Sequence, residues 1–353
     1  MFNAEMLASA VRLAVPIIIT GCGAIYSERS GVVNIGLEGM MIAGAFAGAA
    51  ATVFWGPYVG ILVGMLAGGA LALVHAVASV HFRVDQIVSG TAINILAYGL
   101  VRFSAISIFR MATTTPHVDS LPRVTIPGLA AIPWLRPIFA NLSPLVLVAF
   151  LLVPFSWWLL YRTVYGLRLR SVGEHPLAAE TLGVNVYLMK YAGVLTSGAL
   201  AGLSGAYLSV EHTGMYVEGM TQGLGFISLA AMIFGNWMPA GAMWAGLLFG
   251  FAQALSLRLV AGSIPYQFIR MIPYLLTIVV LAGWVRRTRP PATAGQPYER
   301  GEATSPAAAR RGSRWGTARG REARAEDDTE GARHRPRPCR LLDTSSRRRL
   351  ESL

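Results

Sequence analysis

Cysteine, lysine and charge are all scarce in this chain. Of its 353 residues only two are cysteines, Cys22 within an apolar run and Cys339 far along the chain, so neither a disulfide framework nor a thiolate metal site can be assembled. Lysine occurs once, as Lys190 in YLMKYAG, which excludes a G-x-x-x-x-G-K-[ST] phosphate loop and ATP hydrolysis by that route. The six histidines are scattered, His75 and His81 standing six apart, and there is no HExxH, so no metal site is indicated. Charged residues reach only 14%, against about 25% in soluble domains, while 54% are hydrophobic and the mean hydropathy is +0.51. Composition therefore describes an integral membrane protein, all-α, a polytopic bundle of transmembrane helices in the lipid bilayer.

What the chain does have is apolar runs and glycine. A span needs about 20 apolar residues, and nine candidates are read at 6–26, 35–54, 58–80, 87–109, 144–161, 187–210, 224–237, 241–259 and 268–285, the seventh shorter than the rest. The 38 glycines suit helices that approach closely within lipid. No A-x-A-like cleavage pattern follows the first run, so it is expected to be a retained span rather than a signal peptide.

The net charge is +12, but the segment 303–353 carries +6 of it, with 13 Arg against 7 Asp and Glu. That tail is rich in Arg, Ala, Gly and Ser, lacks the apolar residues to offset its ordering entropy, and is expected to be disordered. Much of the remaining charge lies beside short loops: Arg83, the group Arg162, Arg168, Arg170 and Lys190, and Arg286, Arg287 and Arg289. With nine spans all three places fall on one side, which the positive-inside bias makes cytoplasmic. Nucleic-acid binding is not needed to explain the charge. The segment 111–143, with five prolines, would then be an ordered outer loop or partial re-entrant element.

The most structured polar stretch is GLRLRSVGEHPLAAETLGVN, residues 166–185. Gly166 and Gly173 are read as breaking the preceding span, Pro176 as the first turn of a short helix, and Gly183 as its stop. The expectation is a short helix over 176–182 lying on the membrane surface. Ala178 and Ala179 would give it a close-approach face, and Glu174 and Glu180 could meet basic groups on a docking protein. An ordinary amphipathic connector is the alternative.

Here the sequence resembles a family. The pattern G-L-x-x-R-x-V-G-E-x-P-x-A-A-x-x-x-G-V is similar to the coupling loop of ABC importer permeases of the branched-chain amino acid and ribose type. SERSGVVNIGLEGMMIAGAF (27–46), DQIVSGTAIN (85–94) and LGFISLAAMIFGNWMPAGA (224–242) resemble its nucleoside and simple-sugar branch, as does PPATAGQPYERGE (290–302). The resemblance covers nearly all of 1–302 and none of the tail. It implies a transport protein rather than an enzyme, in a bacterial inner membrane. Its partners would be a second permease, separate cytoplasmic ATPase subunits that use the ATP, and an extracytoplasmic substrate-binding protein. No cofactor would be bound by this chain. It also implies that Gly173, Glu174, Ala178, Ala179 and Gly183 make the ATPase contact, and that nucleosides are the cargo, with simple sugars or branched-chain amino acids as alternatives.

Five polar residues are candidates for the translocation path. Asn34 and Glu38 lie four apart near the start of a span, and a carboxylate in hydrocarbon costs about 2.5 to 3.5 kcal/mol, so Glu38 should face protein or water. It either lines and gates a pore or caps a helix. Thr91 and Asn94 share one face of the fourth span, and Asn236 lies after the seventh; each either contacts solute or joins helices. Glu211 and His212, at an outer span end, are expected to meet water or a binding protein. An ion-coupled transporter would require paired intramembrane carboxylates, and Glu38 has no evident partner of that kind.

Overall fold

The computed structural model describes residues 4–125, 136–259, 271, 275 and 289–299. The predicted ninth span, apart from Met271 and Leu275, and the tail from 303 lie outside the described residues. Helices α1 (Ala4–Arg29), α2 (Leu37–Trp55), α3 (Pro57–Ala76, prolonged by a π turn Val77–His81) and α4 (Gln86–Phe109) come first. After a four-residue turn, α5 (Arg136–Phe139), come α6 (Pro144–Arg162), α7 (Val164–Glu174) and α8 (Pro176–Thr181). Then follow α9 (Val186–Ala206, prolonged by a π turn Tyr207–Thr213), α10 (Leu224–Phe234) and α11 (Pro239–Leu259).

Among the described residues seven helices are long and apolar enough to cross a membrane. The predicted seventh span is not one of them. At 11 residues α10 covers about 16 Å, half of a hydrocarbon core of about 30 Å.

Helices α1, α2 and α9 form the centre, with α3 and α11 packed on them. Close approach explains part of the glycine content: a side chain on Gly44 of α2 would collide with the backbone of Gly202 on α9. Pro16, inside α1, has no amide to offer the carbonyl of Arg12. The Tyr207 hydroxyl donates to that carbonyl at 3.1 Å, and Ser204 donates to the carbonyl of Pro16 itself at 2.9 Å, so α9 repairs the ladder that proline interrupts.

Contacts between termini define two ends of the bundle. At one, which we call the Arg29 end, Arg29 meets Glu174, Val33 donates to Gln86, and Thr293 donates to Gly173. At the other, Glu5 meets Arg258, Leu121 donates to Glu211, and Thr115 and Tyr216 exchange hydrogen bonds. Of the basic positions predicted to share a side, the residues flanking 82–85, those of 162–190 and Arg289 belong to the Arg29 end, and Arg286 and Arg287 lie outside the described residues.

One boundary differs from the sequence reading. Gly166 does not break the preceding span; that span stops at Arg162, where Thr163 turns extended (φ −116°, ψ 157°) and its hydroxyl caps α7 by accepting from Gly166 at 3.2 Å. Gly166 is helical, and its missing side chain lets α7 fold back against the backbone of Leu159 and Leu160.

Candidate functional site

Two constructions carry the predicted residues. The first is the corner between α7 and α8 at the Arg29 end. Pro176 opens α8, the His175 ring accepts from the Ala178 amide at 3.2 Å, and Gly183, with φ +80°, takes the left-handed turn that ends it. Gly173 is buried, because a side chain there would strike the carbonyl of Arg29; that carbonyl belongs to the last turn of α1. Thr293 fixes the same residue by donating its amide and hydroxyl to the Gly173 carbonyl, at 3.0 and 2.7 Å.

Glu174 is half-exposed and lies 3.9 Å from Arg29, while Ala179 is buried and Ala178 and Gly183 are exposed. Glu180 bonds the Tyr298 hydroxyl. The five predicted coupling residues thus divide: Gly173 and Ala179 hold the corner against the bundle, Glu174 reaches back to Arg29, and Ala178 and Gly183 face outward. Their outward company includes Leu182, 83% exposed, and the exposed Val164, Leu167 and Leu188.

Arg29 is the hub of this end, and the sequence reading missed it. Besides Glu174, it donates to the Trp237 carbonyl at 3.3 and 3.4 Å and to the Tyr161 hydroxyl at 3.3 Å. Its neighbour Glu28 is buried and accepts from the Trp237 indole at 2.5 Å. Lys190 is buried beside it and donates to the Gly31 carbonyl at 3.4 Å. Two adjacent charges closing a long apolar run, in SERSG, were the available signal.

The second construction lies mid-bundle. Glu38, buried in the first turn of α2, accepts from the Thr221 hydroxyl at 2.5 Å and from the amides of Gly223 and Gly225 at 2.9 and 2.8 Å. These donors are the start of α10, so the carboxylate sits where the helix dipole favours negative charge. Tyr98, halfway along α4, has its hydroxyl beside Thr221. Residues 214–223 therefore run from the end opposite Arg29 to mid-bundle, and α10 with the turn that follows it leads to Trp237 at the Arg29 end.

The other path candidates are dispersed. Asn34 donates to Ser197 at 3.2 Å and accepts from the Gly36 amide at 3.1 Å, and is fully buried. Asn94 accepts from the Gly39 amide at 2.8 Å and donates to the Ile35 carbonyl at 3.1 Å, tying α4 to the start of α2. Thr91 donates only to carbonyls of its own helix, those of Ile87 and Val88. Asn236 is exposed at the Arg29 end, where it accepts from the Arg289 amide at 3.1 Å. Asn34, Glu38 and Asn94 thus gather at the root of α2, and Asn236 stands apart.

Glu211, expected to meet water or a partner, is instead buried. It accepts from the Leu121 amide at 2.7 Å and lies 4.0 Å from Arg123, where a polar cavity of about 240 Å³ opens between Arg12, Arg123, Tyr207 and His212. Nearby, burial and the adjacent Glu218 raise the Tyr216 phenol above its ordinary pKa.

A multi-pass bundle with a polar corner at one end and a carboxylate-capped half-helix within it is the architecture of a membrane transport protein. The family described as branched-chain amino acid transport system / permease component matches residues 6–281, and the chain belongs to it: it is a permease and not an enzyme. NupQ, the guanosine ABC transporter permease protein of Bacillus subtilis, is 44% identical over 304 residues, covering 82% of this chain and 94% of the relative. NupC, the nucleoside ABC transporter permease protein of Lactococcus lactis, is 40% identical over 307 residues, covering 83% and 96%. TsgC13, a Haloferax volcanii permease provisionally assigned to glucose, is 34% identical over 312 residues, covering 81% and 93%. No solved structure gives a significant match.

Proposed function

We propose that this chain is the membrane-spanning subunit of an ATP-driven importer of nucleosides, residing in a bacterial inner membrane with the Arg29 end in the cytoplasm. The observation that carries the reading is the α7–α8 corner. A short helix with an exposed apolar tip at Leu182 stands at the basic end of a bundle that has no phosphate loop of its own. Separate ATPase subunits bind there and use the ATP; a second permease completes the path, and an extracytoplasmic binding protein delivers solute. Nucleosides are favoured because the two relatives above 40% or at it act on guanosine or nucleosides by name, and sugars follow from the third.

ATP binding in the motor subunits moves the corner, and Arg29 passes the movement on. Its guanidinium joins Glu174 to Trp237, the residue group where α10 ends, and α10 carries it to Glu38. The protein supplies a changing path and no covalent chemistry. The test is reconstitution: the chain with its ATPase, second permease and binding protein should accumulate radiolabelled guanosine in proteoliposomes only with ATP. Equal uptake by this chain alone, without any ATPase, would refute the reading.

A further inference from the structure

Among the described spans α4 is the least covered, with α6 next at 33% buried. In α4 only 28% of the most apolar stretch is buried, against 83% in α2 and α9. Along this flank Thr91, Asn94, Tyr98 and Arg102 recur at steps of three and four, a single stripe of an α-helix. Thr91 and Asn94 have their polar atoms engaged within the bundle, as above. Tyr98 and Arg102 reach the open side: Tyr98 is 41% exposed, and the exposed Arg102 lies 3.5 Å from Glu218 on the descending segment.

We propose that Tyr98, Arg102 and Glu218 form a solute-binding contact on the translocation path, selective for an uncharged, polyhydroxylated solute that carries a planar ring. This rests on the importer reading above. Arg102 lies seven residues from the last residue of α4, about 10 Å inside the helix at 1.5 Å per residue. An exposed ion pair at that depth belongs against water or protein rather than lipid, because charge is expensive in hydrocarbon. The opposite bank is residues 218–223, whose Thr221 lies beside Tyr98 and donates to Glu38.

Charge selects the solute class. Arg102 and Glu218 cancel, and the Glu38 carboxylate is buried behind Thr221 with both oxygens taken up by a hydroxyl and two amides, so the exposed pair offers donors and acceptors without net charge of its own. Vicinal hydroxyls can take bonds from the guanidinium and give them to the carboxylate, while a flat ring packs on Tyr98. An anionic or cationic solute would leave one member of the pair uncompensated.

The test uses the complete importer in proteoliposomes and follows uptake of guanosine, ribose and guanosine monophosphate. We expect Tyr98→Leu to reduce guanosine uptake more than ribose uptake, and Arg102→Gln or Glu218→Gln to reduce both about tenfold, the order of effect expected when one charge-assisted hydrogen bond to the solute is lost. The variants should co-purify with the second permease as the unaltered chain does. Uptake within twofold of the unaltered importer in all three variants would overturn the proposal, and so would loss of co-purification, which would make this flank a subunit interface. Failure of the unaltered importer to take up nucleoside or sugar would instead overturn the importer reading, and this proposal with it.

Discussion

The corner at Arg29 and the junction at Glu38 both join separate helices through a single charged side chain, yet they are built to opposite standards. Arg29 reaches its partners at 3.3 to 3.9 Å, and Glu174 is half-exposed. Glu38 is buried and takes three donors at 2.5 to 2.9 Å. Long, part-buried contacts of the first kind are weaker than short, well-aligned ones and can be remade elsewhere. Buried bonds to a carboxylate are shorter and roughly twice as strong as neutral ones, and an unmade donor there carries the full desolvation penalty. On the importer reading, the end proposed to meet a moving partner is held by contacts that can shift, while the middle is held so that α10 and the root of α2 would travel as one body.

The largest effect should come from breaking the junction. Glu38→Ala leaves two buried amides and a hydroxyl without an acceptor, and should lower stability by about 3 kcal/mol or more, read as a fall in the thermal midpoint in detergent. Glu38→Gln, which keeps an acceptor oxygen, should fall between this variant and the parent. Next is Gly173→Leu, whose side chain would drive the corner off the Arg29 carbonyl; uptake should drop below about a tenth with the chain still inserted, the scale of loss that misplacement at a distance produces. Arg29→Lys keeps the charge but not the fork that spans Glu174, Tyr161 and Trp237; transport should fall severalfold while the thermal midpoint barely moves. Smallest of all, Thr91→Val should leave uptake and stability within about 0.5 kcal/mol of the parent, as for substitutions away from special features, since that hydroxyl bonds only its own helix. A large Thr91 effect, or an Arg29→Lys variant that unfolds, would erase the contrast between a yielding corner and a fixed junction.

Much of this was legible in the sequence. Among the described residues, seven of the nine apolar runs are helices long and apolar enough to cross a membrane, because lipid requires that length, and Pro176 and Gly183 bound a short helix because each suits one helix end. The turn at Thr163 was not legible, because α7 is polar and a glycine inside a helix reads as a break until its close contact with Leu160 is known. The shortness of the run at 224–237 was visible, but not that its first turn rests on Glu38, a contact 187 residues away in the chain. Arg29, Tyr98, Arg102 and Glu218 were passed over for the same reason: their partners are set by tertiary packing, and a lone charge in an apolar run shows only that some partner must exist. Asn236, by contrast, looked like a path residue by composition and lies at the bundle's end.

The outward tip of α8 is the point at which the importer reading is most exposed to test. With Cys22 and Cys339 replaced by serine, Leu182→Cys should form a crosslink to the ATPase subunit through a short thiol-directed reagent, and Trp55→Cys, at the opposite end of the bundle, should form none. A crosslink at residue 55 with none at 182 would contradict the assignment of α8 as the docking helix.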